Sequence, residues 1–179
     1  MRIITGSARG RKLITPENYE IRPTSENVKE AIFSSINFDI EDSVFLDLFA
    51  GTGQMGLEAL SRGAKAAVFV DNSPEAVKIV RKNVENTGFL EKARVVSMPF
   101  STFLKTNQRN FDIAFIDPPY GRKLVQKALS KISDHMSDRG IIICEHEGDK
   151  LPDEFEGFKL YKNYKYGATY VSVFKREVA

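Results

Sequence analysis

The chain has 179 residues and a mass of 20.2 kDa, so it is long enough for one domain and leaves little room for a second. Its apolar runs are too short to span a membrane, and residues 1–6 lack a signal-peptide pattern. The single cysteine, Cys144, excludes an internal disulfide and a cysteine-based zinc site, and we therefore expect a cytoplasmic protein. The formal net charge of +2 says little about a nucleic-acid partner, so the distribution of charge matters more.

The amino-terminal segment predicts a small, basic hairpin. Residues 2–5 and 12–15 indicate two short strands, and residues 6–11 form a glycine-punctuated loop between them. No acidic residue precedes Glu17 in the sequence. The basic residues of the segment are Arg2, Arg9, Arg11 and Lys12. Basic residues also dominate the other end of the chain, so the two ends are candidates for one phosphate-binding patch.

From residue 43 onward, predicted strands and helices alternate. Buried strands are predicted at residues 44–49, 67–71, 94–98, 111–116 and 141–144. A long helix begins at Ser73 and Pro74 and ends at Gly88. Two alternating segments near the end, joined through Gly167, predict an antiparallel hairpin. Because the earlier strands are apolar on both faces, the pattern favours an α/β protein whose sheet is covered by helices on both sides.

A glycine-rich loop at residues 47–56 joins the first predicted strand to its helix. Gly51, Gly53 and Gly56 allow the backbone to turn sharply and to approach a ligand closely. Asp71 ends the second strand, where a carboxylate can accept both hydroxyls of a ribose. The same spacing also satisfies the NAD-binding fingerprint, so the loop alone favours a dehydrogenase as much as a methyltransferase.

A proline pair follows the fourth predicted strand. Neither proline of Asp117-Pro118-Pro119-Tyr120 can donate to a sheet ladder, so the chain leaves the sheet in a rigid, extended corner. Asp117 and the Pro118 carbonyl can each accept one N–H of a planar amine, and Tyr120 can stack on the attached ring. With both protons held in one plane, the lone pair of the amine points out of that plane towards an electrophile.

Both motifs resemble those of enzymes that depend on S-adenosylmethionine (SAM). The Asp-Pro-Pro-Tyr corner resembles the catalytic motif of amino-methyltransferases. Asp47-x-Phe49-x-Gly51-x-Gly53 resembles their SAM-binding loop, in which the acid contacts the methionine amine. A SAM enzyme needs its target amine after the fourth strand, where the corner lies. The ordered pair therefore favours a methyltransferase over a dehydrogenase.

The whole chain from Arg2 to Lys175 resembles the family of bacterial methyltransferases that act on guanine N2 of 16S ribosomal RNA. The resemblance is carried by Arg2-Ile3-Ile4-x-Gly6, Arg9-Gly10-Arg11-Lys12-Leu13, Arg22-Pro23-Thr24, the two motifs above and Tyr166-Gly167-x-Thr169. It implies a Rossmann-like SAM-dependent methyltransferase fold. In that fold a seven-stranded mixed sheet ends in an antiparallel hairpin and carries a small amino-terminal β-hairpin extension. Residues 1–22 would form the RNA-binding extension and residues 23–179 the methyltransferase domain.

The resemblance also implies the site residues. The catalytic residues are Asp117, Pro118, Pro119 and Tyr120. The cofactor-binding residues are Thr24, Asp47, Phe49, Gly51, Gly53, Asp71, Asn72, Met98 and Phe100. The RNA-binding residues are Arg9, Arg11, Lys12 and Arg22, and no metal is expected. Two points stay open: Thr24 can instead cap a helix, and Met98-Pro99-Phe100 lacks the acid or amide that many SAM enzymes use to bind adenine, so backbone groups and Phe100 are expected there.

The expected reaction is an in-line displacement in which guanine N2 takes the methyl group of SAM and S-adenosylhomocysteine leaves. We expect a monomer that acts on small-subunit ribosomal RNA or an assembling 30S particle and has no membrane partner. A DNA adenine or cytosine amino-methyltransferase is the alternative enzyme, although the chain has no spare block for target recognition. A non-catalytic SAM-binding RNA assembly factor is the alternative of a different class, and the intact Asp-Pro-Pro-Tyr corner argues against it.

Overall fold

The computed structural model describes residues 1–17, 24–119 and 123–177. Arg22 and Tyr120 therefore lie outside the described residues. The helices are α1 (Glu26–Ser35), α2 (Gln54–Ser61), α3 (Pro74–Thr87), α4 (Phe100–Thr106) and α5 (Leu124–Ile132), and a short 3₁₀ turn at Ser133–His135 follows α5. The strands are β1 (Val44–Asp47), β2 (Ala66–Asp71), β3 (Ala93–Ser97), β4 (Phe111–Ile116), β5 (Met136–His146), β6 (Glu154–Phe155), β7 (Phe158–Tyr166) and β8 (Thr169–Arg176).

The helix ends follow from local sequence. Ser25 caps α1, and its hydroxyl accepts the Val28 N–H at 3.3 Å. Ser73 caps α3 in the same way and is followed by Pro74 at the first helical position. Gly88 ends α3 in a left-handed conformation with φ of 82°. The predicted bounds of this helix are therefore confirmed.

The strands form one mixed sheet in the order β3-β2-β1-β4-β5-β8-β7-β6. The five strands from β1 to β5 are parallel to one another, and β8, β7 and β6 add antiparallel pairs beyond β5. The mixed sheet and its terminal hairpin confirm the predicted architecture. The sheet has eight strands rather than seven, because the two-residue β6 pairs with the start of β7.

Two hydrophobic cores cover the two faces of the sheet. Along β1, Phe45 packs into the first core and Leu46 into the second, and both side chains are fully buried. The first core contains apolar residues of α1, α2, α3 and the amino-terminal segment, whereas the second contains those of α4 and α5. The strand order reverses between β1 and β4, so their carboxyl ends border a crevice at the edge of the sheet.

The amino-terminal hairpin forms, but a single antiparallel bridge between Arg2 and Lys12 replaces the two expected strands. The N–H groups of Ile4 and Thr5 explain the difference, because they donate to the Glu58 carboxylate of α2 at 2.8 and 3.1 Å instead of to a facing strand. The hairpin is thereby fastened to the main body of the protein. Within the described residues, no helix is long and apolar enough to cross a membrane.

Candidate functional site

A cavity of about 60 Å³ opens at the carboxyl ends of β1 and β4. Asp47 ends β1 and Asp117 follows β4, and both side chains border this cavity. The glycine loop, Thr24 and the amino-terminal residues Met1 and Pro16 complete its wall. The structure therefore brings the two sequence motifs to one place, as parallel strand ends require.

The glycine loop bends in the way that its sequence predicts. Gly51 and Gly53 have φ angles of 59° and 82°, a region that residues with a Cβ rarely adopt. Gly56 serves a different purpose, because a Cβ at this position would lie 2.3 Å from the Phe69 ring of β2. Helix α2 can thus start immediately beneath the loop and pack tightly on the sheet.

Asp47 is a buried acid at the end of β1. Its carboxylate accepts the Gly56 N–H at 3.2 Å, and no ion pair formed by the described part of the chain includes it. Burial, and secondarily the charge of Asp71, raise the pKa of Asp47 to about 8. A ligand carrying an ammonium group would stabilise the ionised form of this carboxylate.

Asp71 fixes the neighbouring loops. One carboxylate oxygen accepts the Gly51 N–H and the other accepts the Ser73 N–H, each at 2.9 Å. The side chain is only half-buried, and a carboxylate can accept about four hydrogen bonds, so capacity for two hydroxyls remains. The residue can therefore hold both the glycine loop and a ribose.

Aromatic and apolar groups lie beyond Asp71. The rings of Phe49 and Phe100 have centroids 5.0 Å apart, with 44° between their planes. Met98 packs beside the second core, and its N–H donates to the Asp71 carbonyl at 3.1 Å, while Asn72 is exposed. These groups can accept a flat, apolar ring face at the ends of β1 to β3.

The Asp-Pro-Pro-Tyr corner presents its acid to the cavity. Asp117 is half-buried, Pro118 is buried and Pro119 is exposed, while the tyrosine of the motif lies outside the described residues. Burial raises the pKa of Asp117 well above its ordinary value, and the charges of Glu145 and then Asp47 act in the same direction. The site therefore favours cationic or hydrogen-bond-donating ligands.

Glu145 lies next to the candidate site, and the sequence analysis did not single it out. Ile116 pairs with Cys144 between β4 and β5, so Glu145 lies beside Asp117 at the end of the neighbouring strand. It is buried and accepts the Thr24 hydroxyl at 2.6 Å. Its position in the sequence could have indicated it, because Glu145 follows an apolar strand in the same way as Asp47, Asp71 and Asp117 do.

The amino-terminal segment forms part of the cavity wall because α3 holds it there. The buried Asn83 side chain exchanges two hydrogen bonds with the backbone of Ile14, at 2.7 and 3.0 Å, and donates a third to the Thr52 carbonyl at 2.9 Å. The Gln54 amide also donates to the Thr24 carbonyl at 3.3 Å. Asn83 therefore links the amino-terminal segment to the glycine loop, and Gln54 links that loop to Thr24.

Three of the four predicted RNA-binding residues lie on the hairpin, outside the lining of the cavity, and the fourth, Arg22, lies outside the described residues. Arg9, Arg11 and Lys12 are exposed, and none belongs to an ion pair within the described ranges. Arg2 differs, because its guanidinium pairs with Glu26 at 2.9 Å. The three unpaired cations are the ones available to an anionic partner.

Comparison with known proteins places the chain in a family. The family described as "Conserved hypothetical protein 95" matches residues 1–175. The "Ribosomal RNA small subunit methyltransferase D" of Escherichia coli K12 is 33% identical, over 99% of this chain and 90% of that protein. The protein of the same name from Haemophilus influenzae is 37% identical, over 90% of this chain and 86% of its own length.

Solved structures agree with this placement. The Escherichia coli structure of the methyltransferase yhhF has a TM-score of 0.89 and 33% identity, covering 99% of this chain and 98% of its own. An RNA methyltransferase from Salinibacter ruber, solved with S-adenosyl-L-homocysteine, is only 16% identical and shares the fold with a TM-score of 0.69. The architecture is thus the Rossmann-like methyltransferase fold, and the chain belongs to the family of bacterial ribosomal RNA small subunit methyltransferases D.

Proposed function

We propose that this protein transfers the methyl group of SAM to the exocyclic N2 amine of a guanine in 16S ribosomal RNA. The observation that carries the proposal is the meeting of Asp47 and Asp117 at one cavity, between a glycine loop and a proline corner. The family supports methylation of small-subunit ribosomal RNA. Guanine N2 is the finer part of the proposal and rests on the resemblance of the motifs.

The cofactor would lie across the ends of β1, β2 and β3. Asp47 would bind its ammonium group, Asp71 its ribose, and Phe49 and Phe100 its adenine. The fit rests on the raised pKa of Asp47, since a buried acid of this kind gains from a cationic ligand. When bound, SAM supplies a methyl group already activated by the sulfonium, and no metal or covalent intermediate is required.

Asp117 and the Pro118 carbonyl would hold the two N–H bonds of guanine N2, which orients the nitrogen lone pair. SAM would supply the methyl group in this site: the new N–C bond would form as the C–S bond breaks, with the electron pair left on sulfur. Orientation and local electrostatics supply most of the catalysis, because the reacting groups are preorganised at rigid strand ends. Tyr120 would stack on the base, a contact worth roughly 1–3 kcal/mol in nucleic-acid complexes.

The nitrogen becomes more acidic as it gains the methyl group, so one proton must leave it. Asp117 would receive that proton in its ionised form, and burial, which raises the pKa of this carboxyl, favours the uptake. A strong base is unnecessary, since a methylated cationic nitrogen loses a proton readily. The proton then passes to solvent when the product base withdraws.

The hairpin residues Arg9, Arg11 and Lys12, together with Arg22, would bind RNA phosphates. In this proposal residues 1–22 are the RNA-binding extension of a cytoplasmic monomer, and residues 23–179 are the catalytic domain. The hairpin shares the first core with that domain, so it would present its cations from a fixed position.

Methyl transfer from tritiated SAM tests the proposal. The substrates are naked 16S RNA and 30S particles from cells lacking this protein, with double-stranded DNA as the control. Mass mapping should locate one N2-methylguanine in the RNA. Label in DNA, or on adenine or cytosine, would contradict the proposed substrate. SAM binding without transfer to any RNA form would favour the non-catalytic assembly factor.

A further inference from the structure

The terminal hairpin carries an unusual concentration of cations and aromatic rings. Four of the chain's six tyrosines lie between residues 161 and 170, and no acidic residue occurs from Phe158 to Arg176. One face of this hairpin forms what we call the lysine–tyrosine surface. It consists of Tyr161, Lys162, Tyr164, Tyr166 and Lys175.

The pairing register places these side chains on the face of the sheet that bears the first core. Lys162 pairs with Val173 and Tyr164 pairs with Val171, and both valines belong to that core. Cross-strand partners point to the same side of a sheet, so the lysine and the tyrosine share this face. The amino-terminal hairpin also packs into the first core, so one elongated partner could contact both hairpins.

Strand β7 is partly exposed to solvent in the part that bears the lysine–tyrosine surface. A register shift separates Leu160 from Lys162, and the Tyr161 side chain between them is 54% exposed. Lys162 is exposed, while Tyr164 and Tyr166 are half-buried. Strand β6 pairs only with the first two residues of β7, so the rest of that edge has no strand partner in the described part of the chain.

Cations and rings alternate at short distances on this surface. The Lys175 ammonium lies 4.0 Å from the Tyr161 ring centroid, and the Lys162 ammonium lies 5.6 Å from that of Tyr164. The Tyr164 and Tyr166 rings are 6.1 Å apart. Neither of these lysines joins an ion pair among residues 1–17, 24–119 and 123–177, so both charges remain available.

Two neighbouring cations of the hairpin, Lys159 and Arg176, already have partners within the protein. The Lys159 ammonium lies 3.7 Å from the Glu154 carboxylate and 3.8 Å from that of Glu177. The Arg176 guanidinium donates to the carbonyls of Ser133 and Ser137 at 2.7 and 3.0 Å, which fixes the base of the hairpin. Lys162 and Lys175 therefore lie without an ion pair among the described residues on the face that bears the exposed Tyr161 ring, whereas Lys165 is exposed beside the Tyr170 ring on the opposite face.

We propose that the lysine–tyrosine surface is a second RNA-binding surface, which holds single-stranded nucleotides outside the methylation site. The inference rests on the proposed function and names where the substrate is held. Lysines would bind phosphates, and tyrosine rings would stack on bases, a combination common in proteins that bind single strands. An acidic protein segment could pair with the lysines, but it would offer no base to stack on the tyrosine rings.

Lysines on an edge strand also prevent edge-to-edge aggregation, which is the plainer explanation. That explanation accounts for Lys162 but not for three tyrosines on the same face. The two explanations predict different behaviour when charge is removed, because only RNA binding changes the salt dependence of an RNA complex.

The test measures the affinity for a labelled single-stranded 16S RNA fragment at salt concentrations between about 50 and 200 mM. Affinity that depends on phosphate contacts changes strongly over this range. In the full-length protein, the double variant Lys162→Gln/Lys175→Gln should reduce the salt slope by about 1.4, or roughly 0.7 for each lost contact. Tyr161→Ala should weaken binding about fivefold or more at constant slope. The matched control is Lys127→Gln/Lys131→Gln, which removes two exposed charges from α5 on the opposite face and should leave the slope unchanged.

SAM affinity and melting temperature should match the parent in every variant, since the surface lies outside the cavity.

Parental slope and affinity in both surface variants would overturn the inference while leaving methylation by the parent intact. Normal binding to naked RNA with lost binding to 30S particles would overturn it as well, because the partner would then be a protein. Self-association of the lysine variant, with parental RNA binding by its monomer, would show that the lysines only protect the edge. A parent that methylates no RNA would instead refute the proposed function.

Discussion

Two groups of buried charges in this protein differ in how their charge is compensated. Glu58 of α2 is fully buried against the amino-terminal segment. Its carboxylate forms ion pairs with Lys29 at 3.5 Å and with Arg62 at 3.0 Å. Asp47 is buried and Asp117 is half-buried at the cavity, yet no ion pair within the described residues includes either of them. Burial raises the pKa of both cavity acids.

The difference separates a structural site from a binding site. At Glu58 the protein supplies its own cations and two backbone N–H donors, so the charge is balanced in the folded state. At the cavity the described residues supply acids without an ion-pair partner, and we propose that a ligand supplies the compensating charge. Burial of an unpaired acid destabilises the folded protein, and such an arrangement is typical of functional sites.

The largest expected effect comes from breaking the structural group. Glu58→Ala should destabilise the protein by about 3–5 kcal/mol, because Lys29 is left as an uncompensated buried charge. Urea unfolding measures this change. The matched control is Glu26→Ala, which breaks the exposed pair with Arg2 and should change the free energy of unfolding far less, because solvent screens this pair. Equal losses in the two variants would contradict a structural role for the buried group.

Asp117→Ala should lower methyl transfer at least ~100-fold, the usual scale for the loss of a preorganised electrostatic partner. SAM affinity should change little, because the change removes only the acceptor for the target amine. Single-turnover transfer and calorimetry measure the two quantities. Asp117→Asn is the matched control: it keeps one oxygen acceptor and should retain more activity than the alanine variant. Parental turnover in Asp117→Ala would refute the mechanism.

Asp71→Ala should weaken SAM binding by about 1.5–3 kcal/mol, the range for hydrogen bonds to a charged group. The change also removes the acceptor for Gly51 and Ser73, so part of the loss could reflect a loosened loop. Ser73→Ala is the control, since it removes the cap of α3 and leaves the carboxylate in place. Unchanged SAM affinity in Asp71→Ala would remove this residue from the cofactor site.

Local sequence patterns predicted the main helices and strands of the molecule well. Ser73, Pro74 and Gly88 mark a helix through contacts within a few residues, and the apolar runs identify the parallel strands. The position of Asp47 and Asp117 at one cavity also followed, because the carboxyl ends of adjacent parallel strands lie together.

Contacts between distant residues were beyond the reach of such patterns. Thr24 and Glu145 are separated by 121 positions, and Ile4 and Glu58 by 54, so nothing near either residue indicates its partner. The loss of the two expected amino-terminal strands has the same origin, since their N–H groups bond to a helix far along the chain. Strand β6 escaped prediction because two residues are too few to show alternation.

The last prediction concerns the dependence of stability on pH without ligand. The pKa of Asp47 is about 8 in the folded protein, compared with 3.8 for the ordinary group, so the folded state binds more protons between these values. The stability that this proton contributes is fully present below about pH 4 and is lost as the pH rises through 8. From pH 5 to 8 we expect a loss of roughly 1–3 kcal/mol, less than ideal linkage because a buried site relaxes and admits water. Thermal unfolding across this range measures it.

Asp47→Asn isolates the contribution of this residue from that of Asp117, whose raised pKa acts in the same direction. The asparagine oxygen can still accept the Gly56 N–H, so the variant should be more stable than the parent at pH 8 and nearly equal to it at pH 4. SAM should reverse the parental loss, since its ammonium stabilises the ionised carboxylate and binding at pH 7 then releases up to one proton. Calorimetry in buffers of different ionisation enthalpy counts that proton, and Asp47→Asn should release fewer. Identical pH profiles and proton release in the parent and the variant would mean that Asp47 is compensated within the chain, as Glu58 is.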